Sequence, residues 1–207
     1  LAISSGANVN FQRLSFIVER SELGEDREKI LSIQIPEKPG SFIRLAKMFG
    51  NFQISEFNYR KSSSSLAYVL VGIRTNTDAS YEALKKRLKK QKYTFDDLTK
   101  NEISNDHLRH MVGGRINHSL NPNIKERIFS TEFPERPRAL LSFLESFGNK
   151  WNISLFHYRN LGSAFGKVLI GIEDDEKNTS KLIKQLGKTK VSFSEETENK
   201  AYKKYLR

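Results

Sequence analysis

The chain has 207 residues with 35 Lys+Arg, 24 Asp+Glu, a formal net charge of +11 and no cysteine. That length holds one large domain or two of roughly 100 residues, each able to bury a core unaided. The absence of cysteine excludes a disulfide framework, thiolate zinc sites and a cysteine nucleophile, and no apolar run approaches the roughly 20 residues of a membrane span.

Residues 1–25 open with Leu1-Ala2-Ile3, which reads as the end of a strand. The polar turn Ser4-Ser5-Gly6-Ala7-Asn8 follows, then Phe11, Leu14, Ile17 and Val18 at helical spacing. An apolar strand end with nothing before it reads as part of something larger. The N-terminus also lacks the charged-then-apolar order of a signal peptide, so the expectation is a soluble, cytoplasmic protein.

From residue 30 the pattern is regular. Ile30, Leu31, Ile33 and Ile35 predict a strand over 30–35, stopped by Pro36. A helix follows, with Pro39 near its first turn, Phe42, Leu45, Ala46 and Phe49 on one face, and Gly50 as its stop. Strands are predicted over 54–60 and 66–74, then a helix over 80–91 and a strand over 93–98, an order of βαββαβ. Asn101 to Val112 reads as a linking helix ended by Gly113-Gly114.

The same order then returns as a strand over 127–133, a helix over 137–147, strands over 151–159 and 165–172, a helix over 177–186 and a short strand over 190–193, with a closing helix within 196–206. Ile35-Pro36-Glu37-Lys38-Pro39-Gly40-Ser41-Phe42 matches Phe133-Pro134-Glu135-Arg136-Pro137-Arg138-Ala139-Leu140, and Ile54-Ser55-Glu56-Phe57-Asn58-Tyr59-Arg60 matches Ile153-Ser154-Leu155-Phe156-His157-Tyr158-Arg159. The offset, 98 at Pro36 and 99 at Tyr59, is longer than a solenoid repeat, so the chain reads as two copies of a small domain. The predicted class is α+β: two tandem ferredoxin-like subdomains, each a four-stranded antiparallel sheet with both helices on one face. They occupy residues 26–118, including the linking helix, and 119–207. The other face of each sheet needs cover from a sister copy, another subunit or a ligand.

A charge of +11 suits a nucleic-acid partner, but its distribution does not. The densest basic stretch, Lys85-Lys86-Arg87-Leu88-Lys89-Lys90, shares a helix with inward Tyr81, Leu84 and Leu88, so its cations read as a solvated face. The aromatic signature of RNA-recognition motifs is missing, and neither a phosphate-binding glycine loop nor a nucleophile elbow is present. His107, His110 and His118 have no cysteine or acidic partner in register and read as capping or packing residues rather than a metal site.

Three features suit a small ligand. In the loop Pro36 to Ser41, Gly40 permits close backbone approach and the following helix start favours a carboxylate; the plain alternative is a Pro-Gly turn with a cap. In the strand end Phe57-Asn58-Tyr59-Arg60, period-2 geometry puts Phe57 and Tyr59 on one face and Glu56, Asn58 and Arg60 on the other. Its copy, Phe156-His157-Tyr158-Arg159, survives while the following loops diverge; the alternative is a core Phe beside a border Tyr. The third feature is 106–115, a linker in the plain reading, with Arg109 as its charged contact in the other.

Pro36-Glu37-Lys38-Pro39-Gly40-Ser41-Phe42, Ser55-Glu56-Phe57-Asn58-Tyr59-Arg60, His107-Leu108-Arg109-His110-Met111-Val112-Gly113-Gly114-Arg115 and Trp151-Asn152-Ile153-Ser154-Leu155-Phe156-His157-Tyr158-Arg159 resemble the regulatory region of biosynthetic threonine ammonia-lyase (threonine dehydratase). Residues 1–25, with Ser5-Gly6-Ala7-Asn8 and Phe16-Ile17-Val18-Glu19-Arg20, are similar to the last segment of its pyridoxal-phosphate catalytic domain. The resemblance implies ACT-like subdomains with associating sheets in a homotetrameric enzyme that converts threonine to 2-oxobutanoate and ammonia for isoleucine biosynthesis. It implies isoleucine as inhibitor and valine as activator. The family's effector tyrosines fall on Tyr59 and Tyr158, and arginines whose change relieves feedback inhibition fall on Arg109 and Arg159. Gly40 and Arg60 complete the expected effector set.

For pyridoxal phosphate the resemblance places Ser5 by the pyridine nitrogen and the Schiff-base lysine upstream, so these residues alone are expected to bind no cofactor and to catalyse nothing. One departure stands out: Arg138 replaces the glycine that the first copy has at Gly40. It either blocks backbone approach or adds a carboxylate contact, and either way the two sites need not be equivalent. The readings from other classes are a basic nucleic-acid-binding tandem module and a ligand-free oligomerisation module.

Overall fold

The computed structural model describes residue 17 and residues 27–61, 65–75, 77–105, 125–134, 136, 138–160, 165–174, 178–189 and 191–206. The first copy runs β1 (Glu28–Pro36), α1 (Ser41–Phe49), β2 (Gln53–Arg60), β3 (Leu66–Arg74), α2 (Asp78–Lys90) and β4 (Phe95–Asp97). The second runs β5 (Lys125–Pro134), α3 (Ala139–Phe147), β6 (Ile153–Arg159), β7 (Phe165–Asp174), α4 (Thr179–Leu186) and β8 (Phe193–Glu195), followed by α5 (Lys200–Tyr205). The order is the predicted βαββαβ, twice.

The two sheets are one. Eight strands follow the order β4-β1-β3-β2-β6-β7-β5-β8, and every described pairing is antiparallel. The joint is β2 against β6, with Phe57 opposite Tyr158, Asn58 opposite His157 and Tyr59 opposite Phe156. Exchanging the copies maps this register onto itself, so a local pseudo-twofold axis passes through the Asn58–His157 pair. The outer rungs obey it: Lys61 N–H donates to Ser154 O and Asn160 N–H to Ser55 O, both at 2.8 Å.

All four crossover helices lie on one face over a single continuous core. Leu31, Ile33, Ile35, Val69 and Val71 meet Leu45, Phe49, Leu84 and Leu88, and across the seam the cluster continues through Phe143, Ile170 and Leu182. The predicted helix stripe Phe42, Leu45, Ala46 and Phe49 is buried, and so is its copy Leu140, Phe143, Leu144 and Phe147. Phe57 and Phe156 meet edge-on at the joint, 5.7 Å between centroids and 83° between planes. On α2 only Tyr81, Leu84 and Leu88 are buried, which leaves the basic stretch facing solvent as expected.

Most boundaries shift by one to three residues from the sequence reading, and two of the shifts have a visible cause. Pro39 precedes α1: Ser41 N–H donates back to Lys38 O, which closes a tight turn through a left-handed Gly40 before the helix begins. The last strand is Phe193–Glu195 rather than 190–193, because Thr131 donates to Ser192 O at 2.7 Å while Phe193 packs on Phe129 and Phe143. Of the linking helix, residues 102–105 are helical, the last two as a π turn, and 106–124 lie outside the described residues, as do His107, His110 and His118.

On the second copy, part of the face opposite the crossover helices is covered by the chain's own α5 and Leu206, a cover the sequence reading did not name. Tyr202 of α5 and Leu206 pack on Ile128, Leu155 and Leu169. A polar connection leads there. Ile128 N–H donates to Thr197, Glu196 N–H to Ile128 O, and Asn199 caps α5 through Ala201 N–H. The first copy does the same with Ile30, Thr99 and Asn101. Thr-x-Asn therefore belongs to the repeat.

Under α5 sits Glu126, whose side chain is 1% exposed. Arg60 of the first copy donates to Oε1 at 2.5 Å and to Oε2 at 3.0 Å, Tyr202 donates to Oε2 at 2.7 Å, and Ser154 also donates to Oε1. Arg60 further donates to Leu206 O. Gly171 makes the room: a Cβ there would lie 2.7 Å from Glu126 Oε1 and 2.8 Å from Leu155 Cβ. Breaking a buried pair leaves an uncompensated charge, so Arg60→Met is expected to cost about 3–5 kcal/mol. Losing the Tyr202 donor in Tyr202→Phe costs about 1–2 kcal/mol. Urea unfolding followed by circular dichroism measures both.

Candidate functional site

Where the copies meet on the helix face, α1 packs beside α3 and the pseudo-symmetry makes two clefts. One is lined by Lys38, Gly40, Phe42 and Ile43 of the first copy and by Leu144, Phe147, Gly148, Trp151, Asn152 and Ile153 of the second. The other is lined by Arg136, Arg138, Ala139, Leu140 and Leu141 of the second copy, with Ala46, Phe49, Gly50, Phe52, Gln53 and Ile54 of the first, and by Tyr158. Nearly every residue of one has its repeat equivalent in the other. Each cleft thus joins the strand-to-helix loop of one copy to the end of the helix and the start of the next strand in its sister. They hold about 10 Å³ and about 20 Å³, space for little more than a single water.

The two loops share a backbone. Ser41 N–H to Lys38 O and Arg44 N–H to Gly40 O in the first copy are matched by Ala139 N–H to Arg136 O and Ser142 N–H to Arg138 O in the second. Gly40 has φ +82 and Arg138 φ +65. The left-handed conformation that glycine adopts without strain is therefore retained at an arginine, where a Cβ crowds the backbone. Arg138 is exposed and adds a cation to its cleft. A Cβ on Gly40 would lie 3.2 Å from Asn149 Oδ1 of the second copy, so the first cleft is the one kept narrow.

The tyrosines lie in the core beside these clefts, Tyr59 1% and Tyr158 2% exposed. Tyr59 packs edge-on against Phe42 at 4.9 Å, and its hydroxyl donates to Glu37. Glu37 also accepts from Asn152, which donates to Glu173 at 2.8 Å, and Lys61 pairs with Glu173. Burial first, and then Glu37, push the Tyr59 phenol far above its ordinary value, so it remains a donor. Burial likewise raises Glu37, against the hydrogen bonds from Tyr59 and Asn152. Tyr158 stacks on Phe133 at 5.5 Å and donates to Ile54 O at 3.3 Å. Each cleft thus combines aliphatic and aromatic walls with a loop backbone and a cation; Asn152 adds a half-buried amide to the first and Tyr158 a buried hydroxyl to the second.

Arg60 and Arg159 lie on the opposite face of the sheet and line neither cleft; Arg159 pairs with Glu56 at 3.2 Å as Arg60 pairs with Glu126. Arg109 and Ser5 lie outside the described residues. Sequence reasoning missed Glu37, Asn152 and Glu173 as partners of Tyr59. Glu37 carried a signal, since it recurs as Glu135, but Asn152 and Glu173 come from the other copy, and no local pattern points across about 115 residues.

The family described as the C-terminal regulatory domain of threonine dehydratase matches residues 19–108 and again residues 118–206. The chain is 38% identical over 206 residues to L-threonine dehydratase biosynthetic IlvA of Haemophilus influenzae, covering 100% of this chain and 39% of that protein. It is 41% identical over 207 residues to its Escherichia coli namesake, covering 99% of this chain and 39% of that protein. Against the chloroplastic biosynthetic threonine dehydratase of Arabidopsis thaliana it is 41% identical over 176 residues, 85% of this chain and 29% of that one. The chain therefore spans about two fifths or less of these relatives' length. Among solved structures it is similar to the acetolactate synthase small subunit of Thermotoga maritima, with a TM-score of 0.31 and 18% identity, covering 82% of this chain and 94% of that one. That likeness is too loose to carry an argument.

Two outcomes check the site. Arg138→Gly relieves a left-handed side chain and is expected to gain about 1 kcal/mol, whereas Gly40→Ala loses about 1–2 kcal/mol, read from urea midpoints. A carboxyl group raised in the folded state stabilises fully below its unfolded value, 4.5, and that contribution is lost as pH rises through the folded value. Glu37→Gln, neutral throughout, is therefore expected to gain stability relative to the parent as pH rises above 4.5, read from urea midpoints across a pH series.

Proposed function

From the premise that this chain belongs to the family of C-terminal regulatory domains of threonine dehydratase, we propose that its paired clefts sense branched-chain amino acids, isoleucine as inhibitor and valine as activator. The carrying observation is the repeated cleft, built twice from both copies with apolar walls beside a cationic loop. Leu144, Phe147 and Ile153 suit an aliphatic side chain, and the loop at Gly40 with Lys38 suits a carboxylate. Because the clefts are closed to anything larger than water, an effector enters by parting α1 from α3 while β2 and β6 stay paired. Binding is thereby coupled to a change in how the copies pack.

In this reading Tyr59 and Tyr158 report occupancy through their hydroxyls. Arg60 and Arg159 act from the far face by holding the copies together, and Arg109 lies in the segment that joins them. The regulated reaction is the conversion of threonine to 2-oxobutanoate and ammonia in the cytoplasm by a pyridoxal-phosphate enzyme. Its chemistry belongs to the part of the relatives' length that this chain does not span, with Ser5 beside the cofactor's pyridine nitrogen and a homotetramer as the assembly. Feedback then requires only that isoleucine bind one packing of the copies more tightly, a coupling of about 1–3 kcal/mol.

Isothermal titration of the folded chain with isoleucine and with valine tests this reading. Saturable binding is expected, weakened about tenfold in Tyr59→Phe or Tyr158→Phe as one hydrogen bond to a charged ligand group or its support is lost. Binding of neither amino acid by a folded chain would leave a ligand-free oligomerisation module.

A further inference from the structure

A third concavity, distinct in chemistry from the two clefts, opens between the end of α3, residues 148–151 and α4. It holds about 620 Å³ and is lined by Lys150, Lys181, Lys184, Lys188, Asn178 and Trp151 among others, with no carboxylate in its wall. Lys181 and Lys184 stand one turn apart on α4, Lys188 follows just past its end, and Lys150 faces them from the turn after α3. All four lysines are exposed. Lys181 donates to Asn178 at 2.9 Å, but among the described residues none of the four pairs with a carboxylate. Six other lysines, Lys29, Lys47, Lys61, Lys85, Lys167 and Lys203, each lie beside Asp or Glu.

Four like charges around one hollow repel each other, and a bound anion converts that repulsion into attraction. The volume is that of a small-molecule site, about 300–1,000 Å³, rather than of a groove that follows a nucleic-acid strand. Flexible ammonium groups suit phosphate oxygens as point charges, and the half-buried Trp151 ring offers a surface for an organic group. We propose that this hollow is a binding site for a small polyanion of the di- or triphosphate class, held by Lys150, Lys181, Lys184 and Lys188 beside Trp151. Phe147, Gly148 and Trp151 also wall the cleft that holds Gly40, so an occupant of the hollow touches one side of that cleft.

Trp151 is the chain's single tryptophan, so its emission reports the hollow directly. The 207-residue chain is titrated with tripolyphosphate, with ATP and with orthophosphate at constant ionic strength, beside a chloride series. A saturable change with Kd below about 1 mM is expected for tripolyphosphate or ATP, weakened at least about tenfold in Lys181→Ala/Lys184→Ala and in Lys150→Ala/Lys188→Ala. Tighter binding of ATP assigns the site to a nucleotide, and equal binding assigns it to the phosphates alone. The proposal is overturned if neither polyanion gives a saturable change, if both double variants, folded by circular dichroism, respond like the parent, or if chloride reproduces the effect. Trp151 also walls the Gly40 cleft, whereas none of the four lysines does, so the double variants assign the change to the hollow and separate it from amino-acid binding in the clefts.

Discussion

The antiparallel pairing of β2 with β6 is the constraint from which the rest follows. It turns two small sheets into one and, being its own inverse under exchange of the copies, imposes the local twofold that creates two clefts rather than one. It also takes most of β2 out of contact with water: Ser55 to Arg60 are all buried, while in β6 His157 stays exposed. The side chains on the far face must then find partners inside the protein. Glu126, with donors from Arg60, Ser154 and Tyr202, and Glu56, with Arg159, show how the fold meets that demand with residues from both copies.

Much of this was legible in the chain. Local patterns specified the strands and the amphipathic helices, and alternation along 54–60 correctly divided Phe57 and Tyr59 from Glu56, Asn58 and Arg60. What local patterns do not encode is which strand becomes an edge and which edge finds a partner about 100 residues away. The far-face role of Arg60 and the grouping of Glu37 with Asn152 and Glu173 depend on that pairing. So does the assignment of cleft walls to opposite copies, and none of the three was visible from one segment at a time. The repeated Thr-x-Asn after β4 and β8 was visible but is too short to read without its backbone partners at Ile30 and Ile128.

Arg138 shows how far the tertiary frame overrides local preference. A residue with little liking for positive φ holds the conformation of Gly40 because Ser142 and Ala139 bond the same loop carbonyls as Arg44 and Ser41. The duplication has therefore diverged in charge and shape at the cleft while conserving its backbone. Inequivalence between the halves rests on side chains: an arginine and Tyr158 on one side, glycine, Asn149 and the Glu37–Tyr59 pair on the other.

With β2 and β6 in the middle, the ends of the eight-stranded sheet are β4 and β8, each three residues long and carrying Asp96, Asp97 or Glu195 outward. So short and charged a margin gives an incoming strand few backbone groups to pair with and an acidic barrier to approach. The sheet has spent its two long edges on itself and is closed to lateral growth. Any partner chain is left the broad faces and the loops.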